Sequence, residues 1–142
     1  MGKISSLILV SLLLGTNSVI CGQAIKRDSA YIKIVQTQLV AYNNKDIELF
    51  LSQYKDSVKV FRYPRILLYK GKETMRKNYE ALFRDATDLH CTILNRTVLG
   101  NTIIDHERVS QFKASEPFEA IAIYRIWDGL IEEVTFLFKN QP

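Results

Sequence analysis

The sequence predicts an α+β domain in which three N-terminal helices pack on one face of a curved, mainly antiparallel sheet. Three observations carry this reading. Stretches with helical spacing of apolar residues precede Asp88, whereas strict alternation follows it. Turn chemistry at Gly100-Asn101, Ser115-Glu116-Pro117 and Asp128-Gly129 divides the alternating half into four strands. The chain has 142 residues, with no repeat, low-complexity stretch or linker, and so supports one core.

Each element has its own local reason. Asp28-Ser29 offers a cap, and Ile32, Val35, Leu39 and Tyr42 then form one apolar stripe. Asn43-Asn44 ends this first helix. Asp46 caps a short second helix with an inner face of Ile47, Phe50, Leu51 and Tyr54. Residues 57–63 alternate as a strand, closed by Pro64. Residues 66–69 form a short edge strand, and Gly71 turns the chain. Residues 72–85 give the third helix, with Met75, Tyr79, Leu82 and Phe83 on one side. The four later strands span residues 91–99, 102–112, 118–127 and 130–138.

The ends and the composition bound location and partners. Residues 1–24 combine Lys3, a short apolar run over residues 7–14 and the small residues of Gly22-Gln23-Ala24. That pattern predicts a secretory signal peptide and an exported, periplasmic or secreted domain over residues 25–142. The apolar run is too short to span a bilayer stably, and no stable membrane insertion is expected once the signal is cleaved. Ile20 before Cys21 disfavours lipidation at that cysteine, because lipidation sites have a small residue there. The net charge of +4 is mild and its basic residues are scattered, which argues against nucleic acid as a partner. Cys91 is then the only thiol of residues 25–142, so no internal disulfide is expected. His90 and His106 lack a second ligand at metal-binding spacing, so neither a metal nor any other cofactor is expected. Asn95-Arg96-Thr97 matches a glycosylation acceptor but falls inside a predicted strand.

The Asp46-Ile47-Glu48 helix, the Tyr54 and Asp56 pair, the Gly71 turn and the Asp128-Gly129-Leu130-Ile131 hairpin together resemble the nuclear transport factor 2-like superfamily. The likeness is to its SnoaL-like and steroid Δ5-isomerase-like branch, and it covers nearly all of residues 25–142. It implies a cone-shaped, cystatin-like α+β roll with a pocket for a small molecule, and a homodimer formed through the sheet. The isomerases of that branch use a helix Tyr and a late-strand acid to bind an enolate oxygen, and a first-strand carboxylate to move the proton. Counted onto this chain, these positions fall on Gln38, Ala122 and Arg62, with Tyr63 beside the last. Arginine stays protonated and alanine cannot donate, so steroid-isomerase chemistry is not expected.

Candidate pocket residues follow from alternation. If Ala122 faces the pocket, so do Ala120 and Tyr124, and a hairpin centred near residues 113–114 then brings in Ile104 and His106. A one-residue slip would bring in Asp105 and Glu107 instead. In the first register the candidate catalytic residues are His106, which titrates near neutral pH, and Tyr63. Gln38, Arg62, Tyr69, Ala122, Tyr124 and Trp127 are the candidate ligand-binding residues. Three functions compete. The first is an exported protein that binds a small, partly apolar molecule. The second is an acid–base enzyme of isomerase, cyclase or hydrolase kind acting through His106. The third is a structural domain whose sheet self-associates and whose cone is filled.

Overall fold

The computed structural model describes residues 16–139. Helices α1 (Thr16–Asn43), α2 (Ile47–Ser52) and α3 (Lys72–Asp85) pack on one face of six strands. These are β1 (Tyr54–Arg62), β2 (Ile66–Lys70), β3 (His90–Leu99), β4 (Thr102–Ser110), β5 (Phe118–Trp127) and β6 (Leu130–Phe138). The sheet runs β2-β1-β6-β5-β4-β3, curved and unclosed, with β1 and β6 parallel and every other pair antiparallel.

Local chemistry accounts for most boundaries. The Asp46 side chain accepts the Leu49 backbone N–H at 3.0 Å, which caps α2. Gly71 sits at φ 93° before α3, and its N–H reaches the Val58 carbonyl at 2.7 Å. A side chain at that φ would be strained. Asp128 and Gly129 both take positive φ, as a tight two-residue hairpin requires. The Asn43 side chain fastens the end of α1 to β3, donating to the Cys91 carbonyl at 3.0 Å and accepting its N–H at 2.7 Å.

Several boundaries differ from the sequence reading: the strand expected over residues 102–112 ends at Ser110, and two other differences have a plain physical reason. Helix α1 starts at Thr16, upstream of the Asp28-Ser29 cap, because the preceding backbone is itself helical and leaves no amide for a cap to satisfy. Most of the proposed signal segment, residues 1–15, lies outside the described residues. Tyr54 opens β1 instead of closing α2. The Gln53 carbonyl accepts the Ile131 N–H at 2.8 Å, so pairing with β6 begins there.

The core lies between the helices and the inner face of the sheet. Phe50 of α2 meets Tyr54, Tyr79 and Phe83 at ring-centroid distances of 5.1, 4.3 and 5.8 Å. Ile103, Ile126, Ile131 and Val134 close it from the sheet side. Tyr79 of this aromatic layer also faces the cavity.

Candidate functional site

A half-open cavity of about 290 Å³ lies between the helices and the inner face of the sheet. That is near the lower end of ordinary small-ligand sites. Gln38 and Tyr42 reach it from α1, and Tyr79 and Leu82 from α3. Val60, Leu68 and Tyr69 line it from β1 and β2. Phe118, Ala120 and Tyr124 of β5, with Phe136 and Phe138 of β6, form the opposite wall. The lining is predominantly apolar, and its ionisable carboxyl group is Glu107 of β4.

Cross-strand pairing decides which β4 residues face inward. Glu107 stands opposite Ala120, Asp105 opposite Ala122, and Ile103 opposite Tyr124. Directly opposed residues share a face, so Ile103, Asp105 and Glu107 point into the fold. His106 stands opposite Ile121 on the outer face. The expected placement of Ile104 and His106 inside is therefore corrected. The hairpin centre falls between residues 113 and 114, and that half-step exchanges the faces of β4.

The two inward carboxylates have different environments. Asp105 is 1% exposed, and Arg96 grips it with two hydrogen bonds of 2.6 and 2.7 Å. Gln36 of α1 accepts a further Arg96 N–H at 3.1 Å. The Asp105 charge is thus matched in place by a two-pronged guanidinium. Glu107 is 6% exposed and has no such partner. Tyr124 donates its hydroxyl to one Glu107 oxygen at 2.9 Å. Burial outweighs that bond and pushes the Glu107 carboxyl up to about 7, with Asp105 adding to the rise and Arg96 opposing it. Burial likewise holds the Tyr42, Tyr54, Tyr79 and Tyr124 hydroxyls and the Cys91 thiol above their usual ranges. Cys91 is consequently a thiol, not a thiolate, at neutral pH.

The residues singled out from sequence divide into two groups. Gln38, Tyr69 and Tyr124 line the cavity, and Ala122 lies between Ala120 and Tyr124 on the same face, fully buried. Arg62, Tyr63, Trp127 and His106 lie outside it. Arg62 is exposed at the end of β1, and Tyr63 follows in the turn at 53% exposure. Trp127 is 56% exposed beside the Asp128-Gly129 turn. His106 lies 3.1 Å from Glu119 on the outer face, beside Arg108 and Lys139, which engage the same carboxylate. Neither Tyr63 nor His106 lines the cavity. Sequence reasoning passed over Glu107 as a site residue, although Asp105-His106-Glu107-Arg108 stood out as a charged cluster within a strand.

The profile of the SnoaL-like domain matches residues 35–134. No curated protein matches the chain in sequence. Among solved structures, an uncharacterised cystatin-fold protein from Novosphingobium aromaticivorans is 23% identical with a TM-score of 0.69, over 75% of this chain and 96% of its own. A SnoaL-like protein of unknown function from Burkholderia thailandensis is 16% identical with a TM-score of 0.67, over 79% of this chain and 96% of its own. An LEH-like epoxide hydrolase from M. tuberculosis is 13% identical with a TM-score of 0.68, over 79% of this chain and 84% of its own. At these identities the likeness establishes the fold.

Proposed function

The chain belongs to the SnoaL-like domain family, and from that premise we propose that its cone binds a small, partly apolar molecule without steroid-isomerase chemistry. The observation that carries this reading is the largely apolar, aromatic-walled cavity in which Glu107, held by Tyr124, is the carboxyl among a few neutral polar groups such as Gln38, Asn78 and Gln111. Apolar walls supply affinity through burial, and the carboxyl supplies orientation. The isomerase positions, counted onto Gln38, Arg62 and Ala122, offer no proton acceptor inside the cavity. The test is native mass spectrometry of protein purified from cells that make it naturally, alongside Ala120→Phe. Ala120 is 4% exposed on the cavity wall, so phenylalanine there occupies the ligand's space. A small molecule retained by the natural protein and absent from the variant supports the proposal. Retention unaffected by the variant overturns it.

An acid–base enzyme is a second reading, and one observation favours it. A carboxyl titrating near 7 inside a cavity has the proton affinity a general acid or base needs. Glu107 takes the role there that the sequence assigned to His106. The epoxide hydrolase among the structural neighbours is consistent with catalysis on this fold. Turnover lost in Glu107→Gln while ligand affinity persists separates an enzyme from a binder.

Two further proposals concern partners and place. The outer sheet face carries Ile104, Ile121, Ile123 and Leu137 side by side across three strands, and we place a second copy of the chain on it. Export rests on the composition of residues 1–24. Among the described residues no helix is long and apolar enough to cross a membrane.

A further inference from the structure

Glu107 is a largely buried residue on the cavity wall, and its carboxyl takes one side-chain hydrogen bond among the described residues, from Tyr124. Its surroundings lack a cation that faces the cavity. Arg96 of β3 is committed to Asp105 and Gln36, and no Lys or Arg lines the cavity among the described residues. Asp105, two residues along β4, adds a like charge that Arg96 already matches, and the neighbouring tyrosine hydroxyls and thiol are neutral around pH 7. Tyr42 of α1, Tyr54 of β1, Tyr79 of α3 and Tyr124 of β5 all have raised hydroxyls, as has the Cys91 thiol of β3. Glu107 is thus the cavity group whose charge changes near neutrality, and its charge lacks a counterpart.

An ionised carboxylate in an apolar site calls for a donor, and for a positive one most strongly. Tyr42, Tyr79 and Phe136 add aromatic surface in the same cavity, and aromatic faces attract ammonium groups. An anionic ligand would meet Glu107 with like charge and find no cation to offset it. We propose that the cavity selects an apolar amine, bound as its ammonium form, with Glu107 as the counter-charge. This rests on the binding function proposed above and narrows its ligand class.

The pH dependence follows from the two titrations. An aliphatic ammonium stays protonated below about pH 10. Glu107 is ionised above about 7, so the two charges coexist at pH 8. At pH 5.5 only about one site in 30 carries the carboxylate before binding, and affinity for the amine falls by about that factor. A neutral ligand has no such dependence.

The experiment compares 2-naphthylmethylamine, 2-naphthylmethanol and 2-naphthoate by titration calorimetry at pH 8 and pH 5.5. The amine is expected to bind at least about tenfold more tightly than the alcohol at pH 8, the scale of one charge-assisted hydrogen bond. The carboxylate is expected to bind most weakly, and the amine's advantage to vanish at pH 5.5 and in Glu107→Gln. Should that variant fold poorly, the pH profile of the unaltered protein decides alone. Equal amine and alcohol affinities at pH 8, or amine binding indifferent to pH, overturn the inference while leaving the cavity as a binding site. Failure of all three probes counts against both.

Discussion

Replacing Glu107 by Gln should make the protein more stable at alkaline pH and leave it unchanged at acid pH. The carboxyl has an ordinary value of 4.5 and sits at about 7 in the fold. Between those two values the native state holds a proton that the unfolded chain has released. Stability therefore falls as pH rises through this window, because the unfolded state binds fewer protons. The gap corresponds to about 3 kcal/mol lost between pH 4.5 and pH 7. The residue is 6% exposed, so solvent screening takes little from that figure. Gln keeps the shape and an oxygen for the Tyr124 hydroxyl but does not titrate. Other carboxylates, such as Glu48, Asp56 and Glu119, lie below their usual value and slope the opposite way. They are common to both proteins and cancel in the difference. Urea denaturation of both at pH 5, 6.5 and 8 reads that difference. The variant should gain on the parent by about 2–3 kcal/mol between pH 5 and pH 8. Parallel pH profiles would refute the reasoning, since they would mean that Glu107 is solvated or paired.

Three further outcomes follow. Asp105→Ala leaves the Arg96 guanidinium without its buried partner and should cost about 3 kcal/mol in urea unfolding, and Asp105→Ala with Arg96→Leu should recover part of it; a cost near zero for the single change would contradict the pairing. His106→Ala, on the outer face, should leave ligand affinity and any turnover unchanged by calorimetry and kinetic assay, and a large loss in either would return His106 to the site. Ile123→Lys places a charge amid the outer apolar patch and should convert a dimer to a monomer by analytical ultracentrifugation; an unaltered mass would move the interface elsewhere.

How much was legible depends on the range of the information each feature needs. The start of α2, helix α3 and the last two strands were placed well because Asp46, Gly71 and Asp128-Gly129 act within a few residues. The start of α1 was not, because a good capping residue does not break a helix that already continues through it. Parallel pairing of β1 with β6 joins distant segments and leaves no local mark. The face of β4 was missed for a sharper reason. Alternation separated Asp105 and Glu107 from His106 and Arg108, but only the register against β5 tells which pair enters the cavity. The most recognisable chemical candidate in the strand, His106, consequently went to the wrong side. Arg62 and Trp127 were misplaced because they lie at strand ends, where alternation no longer dictates burial.

The cavity as the place of binding is tested most directly by methyl NMR during titration with 2-naphthylmethylamine at pH 8. Methyl signals of Val60, Leu82, Val109 and Ala120 should move, since these residues line the cavity, while those of Ile104, Ile121 and Ile123 on the outer face stay still. Shifts confined to the outer isoleucines, with the inner methyls unmoved at saturation, would contradict the account.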